Sequence, residues 1–173
     1  MKKFSLLIML LLGLVLLTSC DGAAKIPNVD KINKEEIFNQ KEDTYYIYFH
    51  KQNCSDCTQA NDLVSQYAQL LKEKDACSVK RKLYSVLLYT QTEKPGEDIY
   101  IFREYVGIDG QGNEGKFFVK DVLKWEDLYI ASTSSLIIIR TNKDGEKYAS
   151  FIAQGAQNVT DHLVNQLGDC YNK

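Results

Sequence analysis

Two cysteines separated by two residues stand where a hydrophobic run gives way to an amphipathic one, and this junction constrains the fold more than anything else in the chain. Tyr45-Tyr46-Ile47-Tyr48-Phe49 is aromatic and β-branched over the length of a buried strand. It passes through His50-Lys51-Gln52-Asn53 into Cys54-Ser55-Asp56-Cys57. Beyond the pair, Ala60, Leu63, Val64, Tyr67, Leu70 and Leu71 recur at helical steps, which predicts a helix with one apolar stripe. Lys72 and Lys74 fall at its C-terminal end, where the helix dipole favours cations. A cysteine at the start of such a helix lies among amide N–H groups that lack intrahelical partners. Those groups stabilise a thiolate, the species that attacks disulfides. The close spacing lets the second thiol reach the first sulfur once a mixed disulfide has formed.

The rest of the pattern alternates strand and helix. Asn33 can cap a short helix over Lys34 to Phe38, with acids in its first turn. Leu83 to Tyr89 and Leu136 to Arg140 read as further strands. Asp144-Gly145 turns the chain into a hairpin partner over Lys147 to Ile152. Asn158 or Thr160 opens a last helix bearing Val159, Leu163, Val164 and Leu167, and Gly168 ends it. This order predicts an α/β domain. Zinc is not expected, because no second CxxC accompanies the first and His50 and His162 lack a zinc-type spacing.

The stretches from Tyr45 to about Leu71 and from Thr133 to Leu167 resemble the thioredoxin superfamily. The resemblance implies a central mixed sheet of four or five strands flanked by helices, with an insertion over about 91–132 ahead of the Ser134 loop. It implies Cys54 as the nucleophile, Cys57 as the resolving thiol, and Thr133, Ser134 and Ser135 as the loop that docks substrate. The sequence departs from the family's pattern in three places. Asn53 replaces the tryptophan before the first cysteine, Tyr48 replaces a buried aspartate, and Ser134 replaces a cis-proline, leaving that peptide open to either isomer. His50 reads as a surface or strand-end residue. In such a fold the helices that follow Cys57 and precede Gly168 lie side by side on one face. Their C-termini then meet, which implies a structural Cys77–Cys170 disulfide closing a long loop.

The N-terminus reads as an address. Lys2 and Lys3 precede an apolar run from Leu6 to Leu17, too short for a span, and Leu17-Thr18-Ser19-Cys20 resembles the bacterial lipobox. The resemblance implies a signal peptide at 1–19, lipidation on Cys20, a tether over 20–33 and a domain over 34–173 facing the outside of the cell membrane. Disulfides persist in that compartment, and four cysteines remain once Cys20 is set aside.

The chain carries 21 Lys and Arg against 23 Asp and Glu, a mild acidity that gives no electrostatic reason to expect nucleic acid. Gly110-Gln111-Gly112-Asn113-Glu114-Gly115 spells GxGxxG without the strand–helix setting that a dinucleotide site requires. It reads as an exposed turn, and Trp125 reads as core. No cofactor is expected. The expected function is membrane-anchored, extracytoplasmic thiol–disulfide exchange by a monomer, with an exported protein or a membrane redox protein as partner. The competing expectations are a redox-inactive accessory lipoprotein, of the kind found beside bacteriocin exporters, and metal delivery.

Overall fold

The computed structural model describes residues 25–88, 121–128 and 133–172. The leader, Cys20, the GxGxxG stretch and most of the 91–132 insertion lie outside the described residues. The remainder is an α/β unit built on a five-stranded mixed sheet. Its strands are β1 (Asp30–Lys31), β2 (Thr44–Lys51), β3 (Leu83–Leu88), β4 (Ser135–Thr141) and β5 (Lys147–Gln154). They lie in the order β1-β3-β2-β4-β5. The first three are parallel, and β4 and β5 are antiparallel to their neighbours. The helices are α1 (Ser55–Glu73), α2 (Asp75–Ser78) and α3 (Ala156–Leu167).

Strand β2 is central, with Tyr48 opposite Ser85 on one side and Leu136 on the other. Both of its faces are covered, which is why it reads as a continuous apolar run rather than an alternation. Tyr46, Tyr48, Leu136 and Ile138 face α1 and α3, packing with Ala60, Val64, Tyr67, Val159 and Leu163. Tyr45, Ile47, Phe49, Ile137 and Ile139 form the opposite cluster with Ile37, Val122 and Leu128, and Trp125 packs against its margin. Each large side chain buried this way contributes roughly 1.5–3 kcal/mol.

The tyrosines keep their hydroxyls satisfied at the edges of these clusters. Tyr45 donates to the Ile37 carbonyl at 2.6 Å and Tyr67 to the Arg81 carbonyl at 2.7 Å.

Three local expectations change. The stretch assigned to a tether is, from Ile26 onward, part of the packed unit. Ile26, Val29 and Ile32 are buried, β1 pairs with β3, and Lys72 Nζ donates to the Asn28 carbonyl at 2.7 Å. The helix after Asn33 is a single 3-10 turn, Lys34–Glu36, closed by Glu36 Oε2 accepting from the Asn33 N–H at 2.8 Å. Helix α3 opens at Ala156, ahead of Asn158 and Thr160. Gly155, at φ 81°, turns the chain directly out of β5 with a backbone conformation that side-chain-bearing residues avoid. Asn158 then lies inside the first turn, its Nδ2 donating to the Gln154 carbonyl at 2.9 Å. Among the described residues no helix is long and apolar enough to cross a membrane.

Candidate active site

The site is assembled where β2 ends and α1 begins. Asn53 makes the turn with a left-handed backbone, φ 53°, a conformation that asparagine tolerates better than most residues. Cys54 is then the N-cap of α1, and its Sγ accepts a hydrogen bond from the Cys57 N–H at 3.1 Å. Thr58 fastens the turn from the other side, its N–H and hydroxyl both donating to the Cys54 carbonyl.

Cys54 and Cys57 form a disulfide with Cα atoms 5.2 Å apart. Cys54 is 9% exposed and Cys57 1%, so an incoming sulfur meets Cys54 first. The Thr133 hydroxyl lies 3.1 Å from Cys54 Sγ. A disulfide sulfur has no proton, so the hydroxyl is the donor. Two donors from different parts of the chain therefore converge on one sulfur, and both are aimed where negative charge would develop if the bond opened.

The loop that brings Thr133 here contains a cis Thr133–Ser134 peptide. It is held by the Gly155 N–H donating to the Ser134 carbonyl at 2.8 Å, which ties the start of β4 to the start of α3. Thr133, with Asp56, Gly155, Asn158 and His162, lines an open cleft of about 850 Å³. Ser134 and Ser135 are buried, and Ser135 lies within β4 opposite Phe49 and Gln154. Of the three residues expected to dock substrate, Thr133 is thus the one that lines the cleft.

A second, smaller cavity of about 230 Å³ lies on the other side of the pair, lined by Cys57, Thr58, Asn61, Ile26 and His50 among others. His50 lies at the end of β2, as its strand-end reading has it, but is only 3% exposed, which corrects its reading as a surface residue. Its ring stacks on Tyr48 with centroids 5.8 Å apart, and its Nε2 has no hydrogen-bond partner among the described residues. Burial, together with the positive charge of Lys31, lowers its pKa to about 4. Burial likewise pushes the Tyr48 hydroxyl up to about 12, and that hydroxyl donates to Asn61 Oδ1 at 3.3 Å.

The remaining two cysteines meet at the far end of the sheet. Cys77 in α2 and Cys170 in the closing 3-10 turn form a disulfide with Cα atoms 5.1 Å apart, and both are buried. Among the described residues no three His, Cys, Asp or Glu side chains gather in a way that could hold a metal ion.

No protein-family model matches the chain, and no curated protein gives a significant match.

The sequence singles out the two cysteines with Thr133, Ser134 and Ser135, and gives His50 only as a surface or strand-end residue. The signal for His50 was present, because Tyr46, Tyr48 and His50 alternate along β2 and share the face covered by α1.

Proposed function

We propose that the protein is an extracytoplasmic thiol–disulfide oxidoreductase of thioredoxin-like type, held on the cell membrane by lipid on Cys20. The observation that carries this reading is the seating of Cys54. It caps α1, is bonded to Cys57, and receives hydrogen bonds from the Cys57 N–H and the Thr133 hydroxyl. Donors already in place lower the cost of forming a thiolate, because nothing need reorganise when the charge appears. The strand order, the position of the pair after the central strand, and a loop abutting Cys54 from the start of β4 support the thioredoxin-like assignment. The basic and apolar leader ending in Leu17-Thr18-Ser19-Cys20 supports the membrane anchor.

In the reductive direction the Cys54 thiolate attacks one sulfur of a substrate disulfide, and the other substrate sulfur leaves as a thiolate. Cys57 then attacks Cys54 Sγ. The Cys54–substrate bond breaks, the second substrate thiolate departs, and Cys54–Cys57 is left oxidised. The oxidative direction is the reverse. The chemistry asks for no cofactor, and the partner is another exported protein or a membrane redox protein.

The test is a titration of the purified protein in dithiothreitol redox buffers, with catalysed reduction of insulin as the readout. Catalysis by the parent and its loss in Cys54→Ala are expected. A pair that cannot be cycled would refute the reading in favour of a redox-inactive accessory lipoprotein, and a Cys54→Ala variant as fast as the parent would exclude the role assigned to Cys54.

A further inference from the structure

Resolution requires Cys57 to lose a proton, and Cys57 is 1% exposed. Bulk water is therefore a poor acceptor. The cavity on its side of the pair is lined by Lys25, His50, Lys51, Thr58 and Asn61 together with apolar and amide groups, and no carboxylate is among its described lining residues. Asp56 lines the other cleft. Lysines are already protonated at neutral pH, whereas a neutral imidazole is not. His50 is buried in this cavity with its Nε2 unpartnered among the described residues, and an orphaned buried nitrogen calls for an explanation.

We propose that His50 is the proton acceptor for Cys57 in the resolving step, an assignment that rests on the thiol–disulfide exchange reading. In the mixed disulfide Cys54 Sγ is bonded to a substrate sulfur and Cys57 is a thiol. The Cys57 proton passes to the His50 imidazole through a water, for which the shared cavity of about 230 Å³ has room. The Cys57 thiolate attacks Cys54 Sγ, the Cys54–substrate bond breaks, and the substrate sulfur leaves with the electron pair. The imidazolium then returns its proton to that thiolate or to solvent.

Burial and the charge of Lys31 of β1 keep the resting imidazole neutral and so able to accept a proton. Lys25 and Lys51 line the same cavity as Cys57, and cations beside a thiol favour its thiolate. From α1 the facing groups are Thr58 and Asn61, from β3 Leu87, and from β2 itself Tyr48, none of them charged at neutral pH. A thiolate formed at Cys57 would itself raise the pKa of His50, so the two titrations are coupled.

The experiment follows the full chain, purified in detergent, reacting with glutathione disulfide, using rapid acid quench and mass spectrometry to separate mixed-disulfide formation from its resolution. Cys57→Ser, which stops at the mixed disulfide, calibrates the first step. In His50→Gln the first step is expected to stay within about twofold of the parent. Resolution at pH 7 is expected to slow by at least about tenfold, the scale on which general base catalysis acts. The pH profile of resolution is expected to lose the histidine limb. Unchanged resolution in a folded His50→Gln protein overturns the assignment and leaves the exchange reading standing. A parent that forms no mixed disulfide overturns both. Should His50→Gln fail to fold, the Cys54→Ser protein decides, with the His50 ring followed by NMR and Cys57 by thiolate absorbance. Titration of one that shifts the other supports the pairing, and independent titrations overturn it.

Discussion

Replacing Cys77 and Cys170 together by alanine removes a bridge that closes a loop of 93 residues. In the chain-entropy model the lost constraint on the unfolded chain amounts to about 4–5 kcal/mol at 25 °C. Alanine keeps the Cβ atoms but removes two sulfurs from buried positions, and the packing lost there adds to that figure. For a chain of this size that loss lowers Tm by about 10–18 °C. The unfolded state expands when the bridge is gone, so the urea m-value should rise as the midpoint falls. Trp125 is the chain's single tryptophan and packs against Phe49, with ring centroids 6.4 Å apart, so its fluorescence reports unfolding of the sheet. The double variant should retain the exchange rate of the Cys54–Cys57 pair within about twofold, since the bridge lies at the opposite end of α1. A stability loss below about 1 kcal/mol, or no change in m, would refute the claim that this bridge acts by restricting the unfolded chain.

Three further outcomes follow from single contacts. Tyr67→Phe removes the donor to the Arg81 carbonyl at a fully buried position, and urea unfolding should show a loss of about 1–3 kcal/mol. His50 has a folded pKa of about 4 against 6.5 in the unfolded chain. The unfolded state therefore binds the extra proton first as pH falls. Stability is full above pH 6.5 and declines toward pH 4, by up to about 3 kcal/mol from this group. Urea midpoints across that range should flatten in His50→Gln, and an equally steep decline would sink the assignment. Thr133→Val removes one of the two donors on Cys54 Sγ. Hydrogen bonds to charged groups are worth about 1.5–3 kcal/mol, which corresponds to roughly one to two pKa units. Thiolate absorbance in a Cys57→Ala background, where Cys54 is the free thiol, should show its pKa rising by at least about one unit.

Much of the fold is legible in the sequence because its central elements carry strong periods. Tyr45 to Phe49 and Leu136 to Ile139 are buried on both faces, and a strand in that setting reads as an unbroken apolar run. The stripe from Ala60 to Leu71 identifies α1 because one face of it packs on the sheet. What cannot be read locally depends on tertiary contact. Ile26 and Val29 are too few, and too interrupted by Pro27, to signal burial. They are buried because the segment lies against α1, where Lys72 holds the Asn28 carbonyl. The site divides in the same way. The cysteine pair at a helix start is visible as spacing, and Thr133 becomes a contact of Cys54 only when β4 returns beside β2. His50 shows the strand alternation, but nothing local tells how far α1 and the 26–29 segment extend over its end of the strand.

The two disulfides differ in loop length and in access. Both lie along α1 and its continuation, one at the first turn and the other just past the last. The Cys54–Cys57 bridge closes a separation of 3 residues, the Cys77–Cys170 bridge one of 93. In the chain-entropy model the short loop restricts the unfolded chain by only about 2 kcal/mol, against about 4–5 for the long one. The start of α1 is fastened by Thr58 as well as by the Cys54–Cys57 bond, and both sheet faces are held by packing. The Cys77–Cys170 bond ties α2 to the closing 3-10 turn. Access follows the same division. Cys54 is the most exposed of the four bridged cysteines at 9%, while Cys77 is fully buried and Cys170 is 6% exposed. A thiol reagent therefore reaches the Cys54–Cys57 bond first.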